Sequence, residues 1–212
     1  MTITKYEHAC LLIEDQGKRV VVDPGQFTTT LGHPDNVVAL VITHVHGDHL
    51  DELQIQELLN LNPDMKIFST QEVAEALPGM SVTIVRAGDK EDVAPFTLEF
   101  FGGNHALIHE SIPRNQNVGV MVNNTLYYPG DSFVEPEGRS VPVLALPVAA
   151  PWMKVAEAID FLTAIKPRRL FPTHDSVISD IGYGIHDRLL EGAAAKQGSE
   201  YTHLTPGQSI NA

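Results

Sequence analysis

Apolar residues in this chain fall in short runs, some alternating and some continuous, set between clusters of Gly, Pro, Asn and Asp. In the first third that spacing predicts strands. Thr2–Glu7, Ala9–Glu14 and Lys18–Asp23 read as strands, the last two joined by a hairpin turn at Asp15-Gln16-Gly17. A loop rich in Thr, Gly and Pro runs from Pro24 to Asn36, and Val37–Thr43 is a continuous apolar run of buried-strand length. Helical spacing first appears over Asp51–Asn60, where Leu53, Ile55, Leu58, Leu59 and Leu61 recur apolar and Asp51 stands as N-cap.

Further strands are predicted at Lys66–Ser69, Val82–Arg86, Phe96–Phe101, Val118–Asn123 and Leu126–Tyr128, the last pair joined by an Asn123-Asn124 turn. Val141–Leu146 follows as another buried strand. Trp152–Ile165 reads as an amphipathic helix that must stop before Pro167. A strand at Arg169–Phe171, a helix near Ile185–Ala195 and a strand near Tyr201–Leu204 close the order. Strands followed by helices, twice over, predict an α/β chain: an αββα sandwich of two mixed β-sheets packed face to face, with helices on the outer faces.

At 212 residues and 43% apolar content, the chain suits one domain, 1–212, with a proper core. No apolar run approaches the roughly 20 residues that span a bilayer, so no integral membrane association is expected. Met1–Glu7 has neither the basic start nor the apolar stretch of a signal peptide. Cys10 is the only cysteine and sits in the apolar run Ala9–Ile13, as a buried core residue would. Together these features predict a cytoplasmic protein. The net charge of −13 argues against nucleic acid as a partner, because Lys and Arg supply that affinity; a small-molecule substrate fits better. Oligomeric state stays open.

The chemistry concentrates in Thr43-His44-Val45-His46-Gly47-Asp48-His49, which packs three imidazoles and a carboxylate into six residues. Borderline metals take neutral imidazole nitrogens, and a carboxylate adds charge to hold a dication. One ion cannot use all four donors of so short a segment without strain, whereas two adjacent ions can share them. Three more donors stand just past predicted strand ends: His105 after Gly102-Gly103-Asn104, Asp131 after Pro129-Gly130, and His174 after Pro172-Thr173. Loops at strand ends are where rigid scaffolds carry reactive groups.

With these residues the chain resembles the metallo-β-lactamase superfamily over nearly all of its length. The family's His-x-His-x-Asp-His signature stands here as His44, His46, Asp48 and His49, and the later ligands match His105, Asp131 and His174 in order. The resemblance implies the metallo-β-lactamase fold and two divalent metal ions. One is held by His44, His46 and His105, the other by Asp48, His49 and His174, with Asp131 bridging. Zinc ranks first as the metal and manganese second, with iron admissible, because the donors are all nitrogen and oxygen. The implied activity is hydrolysis of a phosphodiester, lactone or related ester by a hydroxide bridging the two ions. Asp48 would also orient that water and take its proton.

His8 and His109 are candidates to donate a proton to the leaving group. His186 is a further candidate, while His33 and His203 read as surface residues. Asp23 matches the family's Asp that supports the His-rich loop from behind. Trp152 and Lys154 are candidates for a substrate wall and an anion contact, Asp175 for a hydrogen bond to a ligand imidazole, and Arg114 and Arg139 for phosphate contacts. Tyr6–Glu14 and Tyr128-Pro129-Gly130-Asp131-Ser132 resemble the side of the superfamily that holds ascorbate-6-phosphate lactonase and N-acyl-phosphatidylethanolamine phospholipase D. The chain lacks the flavodoxin-like, RNA-cleaving and glutathione-binding additions of larger members. Two other readings stay open: an iron-dependent redox or dioxygenase-type enzyme, and a non-catalytic metal-binding module.

Overall fold

The computed structural model describes all 212 residues. Its first half is built from β1 (Thr2–Lys5), β2 (Leu11–Asp15), β3 (Lys18–Val22), β4 (Val37–Val41), α1 (Glu52–Leu61), β5 (Lys66–Ser69), α2 (Gln71–Ala76) and β6 (Val82–Ile84). Its second half runs through β7 (Lys90–Val93), β8 (Phe96–Gly102), β9 (Val118–Val122), β10 (Leu126–Tyr128), β11 (Val143–Pro147), α3 (Val155–Ile165), β12 (Arg169–Thr173), α4 (Asp180–Lys196), β13 (Glu200–Tyr201) and β14 (Ser209–Asn211).

Two seven-stranded sheets result, in the orders β14-β1-β2-β3-β4-β5-β6 and β13-β12-β11-β10-β9-β8-β7. Both are mixed. Strands β14 to β3 pair antiparallel and β3 to β6 parallel; in the second sheet β7 to β10 pair antiparallel and β10 to β13 parallel. The expected αββα sandwich is what forms.

Alternation along the strands divides the core into three. Val20 and Val22 point into the space between the sheets with Ile3, Leu11, Phe68 and Phe100, while Val21 points outward to α1 and α2 with Leu40, Ile55 and Leu58. Val143 and Ala145 face the central layer, and Leu144 and Leu146 face Phe161 and Leu162 of α3 and Leu190 of α4. Central strands buried on both faces need continuous apolar sequence, which is why β4, β9 and β11 carry it.

Several elements depart from the sequence expectation. Helix α2, six residues long with Thr70 as its cap, is too short to show a period. Strands β7 (Lys-Glu-Asp-Val) and β14 (Ser-Ile-Asn) are mostly polar edges held by main-chain pairing, with Val93 and Ile210 alone reaching the central core. Helix α4 begins at Asp180, not Ile185; Ser179 caps it by accepting from the Gly182 amide at 3.2 Å, and the glycines at 182 and 184 hide its start. The first strand ends at Lys5, α3 starts at Val155, and the last predicted strand shrinks to Glu200–Tyr201.

Candidate metal centre

The seven donors converge where strand ends of both sheets meet. His44 to His49 follow β4, His105 follows β8, Asp131 follows β10 and His174 follows β12. The sheets are stitched together at this point, because the Thr43 carbonyl accepts the Val118 amide at 3.0 Å. Two glycines permit the close approach. A Cβ on Gly25 would lie 2.0 Å from the Asp48 carbonyl oxygen. Gly130, at φ +63, would place one 2.4 Å from Asn117 Oδ1, the atom that accepts the Asp131 amide at 3.0 Å.

Three groups of donors lie within coordination range of one another, every ligand atom within 4.8 Å of the others in its group: His44, His46 and His105; His44, His49 and Asp131; and His8, Asp48, His49 and His174. Asp131 touches both implied triads. Its Oδ2 lies 3.3 Å from His105 Nε2 and 3.1 Å from His174 Nε2, and its Oδ1 lies 3.2 Å from His49 Nε2. Asp48 Oδ2 stands 3.3 Å from His174 Nε2 and 3.7 Å from His49 Nε2.

Whether these residues suit metal ions is decided by where their protons sit. His49 Nδ1 faces Asp23 Oδ2 at 2.7 Å, His105 Nδ1 the Ala106 carbonyl at 2.6 Å, and His174 Nδ1 the Ala149 carbonyl at 2.5 Å. Those oxygens only accept, so each Nδ1 carries the proton and each Nε2 turns a lone pair inward. His44 follows suit: its Nδ1 is 3.0 Å from Thr43 Oγ1, whose own proton is given to Asp23 Oδ2 at 2.7 Å. His46 is reversed end for end. Its Nε2 donates to Asn115 Oδ1 at 3.2 Å, the amide being oriented by its Nδ2 bond to Glu72 Oε2, which leaves Nδ1 inward.

As neutral imidazoles, the form that binds a metal, all five therefore aim lone pairs at one another, and His44 Nε2 and His46 Nδ1 face at 3.0 Å. His49 Nε2, His105 Nε2, His174 Nε2 and Asp131 Oδ1 are buried with no hydrogen-bond partner at all. An unpartnered buried polar atom costs about 1–3 kcal/mol. Four of them converging with matched polarity are resolved by cations, so the donor set fits divalent metal.

Electrostatics agree. Burial drives the His44 and His46 imidazoles below their usual range. Burial would raise both carboxylates, but the charges of His49 and His174 hold Asp131 well below the carboxylate range, and the neighbouring His174 and His8 lower Asp48. Burial likewise opposes protonation of His174, yet Asp131 pushes it up to about 9, and Asp131 with Asp23 raises His49 well above normal. In the metal-free protein, protons thus do the charge-balancing that a dication would do.

The supporting residues divide into expected and unexpected. Asp23, fully buried, binds the Thr43 amide and hydroxyl, each at 2.7 Å, besides His49, as the sequence led one to expect. Trp152, expected as a substrate wall, donates Nε1–H to Asp131 Oδ2 at 2.8 Å. Asp175 does not bond an imidazole; it pairs with the buried Lys5 at 2.8 Å and accepts from the Tyr183 hydroxyl. Arg114 donates to the His105 carbonyl at 2.5 Å, Arg139 pairs with Glu99, and the Lys154 amide is capped by Glu157 at 2.6 Å. His186 lies within α4, its Nδ1 2.9 Å from the Val148 carbonyl, and His109 stands on an exposed loop beside Ser111. Neither belongs to the three donor groups. Asn115, Asn117, Glu72 and Thr43 had no signal in the sequence, because Asn and Thr fill such roles only through distant partners.

The family model of the beta-lactamase superfamily domain matches residues 2–174, a span that holds all seven donors. Protein Rv0786c of Mycobacterium tuberculosis is 37% identical over 197 residues, covering 90% of this chain and 92% of the relative. A UPF0173 metal-dependent hydrolase of Metallosphaera sedula is 26% identical over 229 residues, covering 96% of both chains. Among solved structures, Igni18, a metallo hydrolase of the archaeon Ignicoccus hospitalis, superposes with a TM-score of 0.74 at 19% identity, over 99% of this chain and 97% of its own.

Proposed function

The chain belongs to the beta-lactamase superfamily by its match over residues 2–174, and from that premise we propose that it is a hydrolase dependent on two divalent metal ions. The observation that carries the reading is the inward convergence of His49, His105 and His174 Nε2 and Asp131 Oδ1, all buried and all without a hydrogen-bond partner. The description of the Metallosphaera sedula relative as a metal-dependent hydrolase supports it.

His44, His46 and His105 would hold one ion and Asp48, His49 and His174 the other, with Asp131 between them. Zinc suits five imidazoles best; manganese and iron suit the carboxylates. When bound, the ions supply a water acidified to near neutral pH and positive charge for the oxygens of the transition state. The protein supplies the rest. Asp23, the Ala106 and Ala149 carbonyls and Asn115 hold the imidazole rings and their tautomers, and Trp152 anchors Asp131. Asp48 and His46 are the donors that keep partial solvent exposure, so substrate and water enter from their side. With Oδ2 turned into the cluster, Asp48 has Oδ1 to take the proton of the attacking water. His109 accepts the Ser111 amide on Nδ1 at 3.1 Å, which puts its proton on Nε2, available to a leaving group.

The substrate class is a phosphodiester, lactone or related ester. The resemblance of Tyr6–Glu14 and Tyr128–Ser132 to the lactonase and phospholipase D side of the superfamily supports it. So does a cavity of about 400 Å³, lined by Pro151, Met153, Val155 and Val177, beside the Ala149 carbonyl that holds His174. Its walls suit an apolar substituent. The test is hydrolysis of phosphodiester, lactone, thioester and β-lactam model substrates by zinc- and manganese-loaded protein. Turnover of the first or second class, abolished in Asp131→Asn, is expected. Turnover that survives that substitution, or none on any class, contradicts the proposal.

A further inference from the structure

His8 is the one imidazole of the cluster wired in the opposite sense. Its side chain is fully buried, and its Nε2 lies 3.0 Å from Asp48 Oδ2, in the same donor group as His49 and His174. Distance alone would make it a fourth ligand. Its other nitrogen decides otherwise. His8 Nδ1 is 3.3 Å from the backbone amide of Ser176, and an amide N–H can only donate. Nδ1 is therefore the lone-pair nitrogen and Nε2 carries the proton, directed at Asp48. For each of the other five imidazoles the outward nitrogen meets an acceptor; for His8 alone it meets a donor. Were His8 to ligate through Nε2 as a neutral imidazole, its Nδ1–H would abut the Ser176 N–H.

The main chain at the same residue reinforces the arrangement. The His8 carbonyl accepts the His174 amide at 2.9 Å, and the two rings pack tilted by 50° with centroids 4.0 Å apart. Both residues sit at positive φ, 60° and 56°, a backbone region that is uncommon outside glycine and that here turns each ring toward the cluster. One residue thus grips the His174–Ser176 turn of the second sheet with its carbonyl and Nδ1. With Nε2–H it grips Asp48, on the His-rich loop of the first.

We propose that His8 is a positioning residue, neither a metal ligand nor the proton donor to a leaving group. Its fixed Nε2–H holds the Asp48 carboxylate in place and keeps the two sheets' contributions to the second metal in register. A carboxylate oxygen has two lone-pair directions, so Oδ2 can accept this proton along one and face a metal along the other. The inference rests on the metal-site reading above, and its test separates the two.

The first arm is nitrogen-15 NMR of the His8 ring in the metal-free protein and in protein loaded with zinc or cadmium-113, the resonances being identified by their loss in His8→Gln. A protonated Nε2 and an unprotonated Nδ1 in both states are expected. Cadmium coupling to His8 Nε2, or a proton on Nδ1, overturns the proposal. The second arm is zinc binding by chelator competition. His8→Phe, which fills the space without a donor, is expected to weaken the second zinc roughly 10–100-fold, the usual effect of losing a support behind a ligand. His8→Gln, whose amide N–H reaches toward Asp48, is expected to restore most of it. Equal loss in both variants marks a ligand, and no loss in either marks a bystander; each overturns the proposal. If His8→Phe does not fold, the ring nitrogens and His8→Gln decide. Wild-type protein that binds no zinc defeats the metal reading, while the metal-free spectrum still tests His8.

Discussion

His49 Nδ1 lies 2.7 Å from Asp23 Oδ2, and both side chains are completely buried. The same carboxylate takes the amide and hydroxyl of Thr43, so one residue fixes the start of the His-rich loop and the tautomer of its last histidine. An amide in its place has a single accepting oxygen for three donors. Asp23→Asn is therefore expected to weaken zinc binding and lower kcat/KM, each roughly 10–100-fold. Chelator competition and steady-state kinetics measure both, and unchanged zinc affinity would remove Asp23 from the account.

Gly25 is set against the backbone of the loop it supports. A methyl there would sit 2.0 Å from the Asp48 carbonyl oxygen and 2.4 Å from the His49 amide nitrogen, atoms that cannot swing aside. Gly25→Ala is expected to destabilise the fold by at least about 1–3 kcal/mol, the usual cost of overpacking, and to reduce metal uptake. Gly192, exposed on α4 and with nothing within 4 Å of where a methyl would stand, is the control. Gly192→Ala is expected to raise the melting temperature, since alanine favours a helix interior by roughly 0.5–1 kcal/mol. Thermal melts of both variants read the contrast.

The pH dependence of the metal-free protein has a definite sign. His174 rises on folding from the ordinary histidine range to about 9, chiefly through Asp131 working against burial. The stability this contributes is complete below about pH 6.5 and disappears as pH climbs through 9. Asp48 and Asp131 are lowered, so their contribution is present above the ordinary carboxylate range and is lost as pH falls below it. Melting of chelator-treated protein is expected to be highest near about pH 6.5, since below it the buried His44 and His46 resist the protons that the unfolded chain takes up, and to decline toward pH 9. Metal uptake should move the other way across that upper range, tightening as the imidazole protons leave. A melting temperature flat from about pH 6 to 9 would contradict the assignment.

Trp152 makes its contribution through one bond, Nε1–H to Asp131 Oδ2 at 2.8 Å, while its ring packs edge-on to Phe133 with centroids 5.1 Å apart. Trp152→Phe retains the packing and deletes the donor. Activity is expected to fall roughly tenfold with little change in melting temperature. A large fall in stability with intact activity per folded molecule would instead make Trp152 a core residue.

The parts legible in the sequence share a physical reason. Strands buried on both faces must be apolar throughout, so β4, β9 and β11 announce themselves, and the seven candidate donors placed after strand ends are visible because metal coordination would constrain residue type and spacing together. What stayed hidden depends on partners remote in the chain. The wiring of His8 is set by an amide 168 residues away, and the tautomer of His46 by an asparagine 69 residues away. Trp152 looked like a pocket wall because nothing local reveals that its N–H meets Asp131. Strands β7 and β14 are polar edges whose only signal is the neighbour they pair with. The glycines at 182 and 184 disguised the first turn of α4, which its Ser179 cap secures.

As proposed above, His44, His46 and His105 on one side and Asp48, His49 and His174 on the other, joined by Asp131, form two adjacent ion sites. Equilibrium dialysis of metal-free protein against zinc, with metal quantified per folded chain, tests it most directly. Two tightly held ions per chain, falling to one or none in Asp131→Asn, is the predicted result. One ion or none in the unaltered protein would contradict the account.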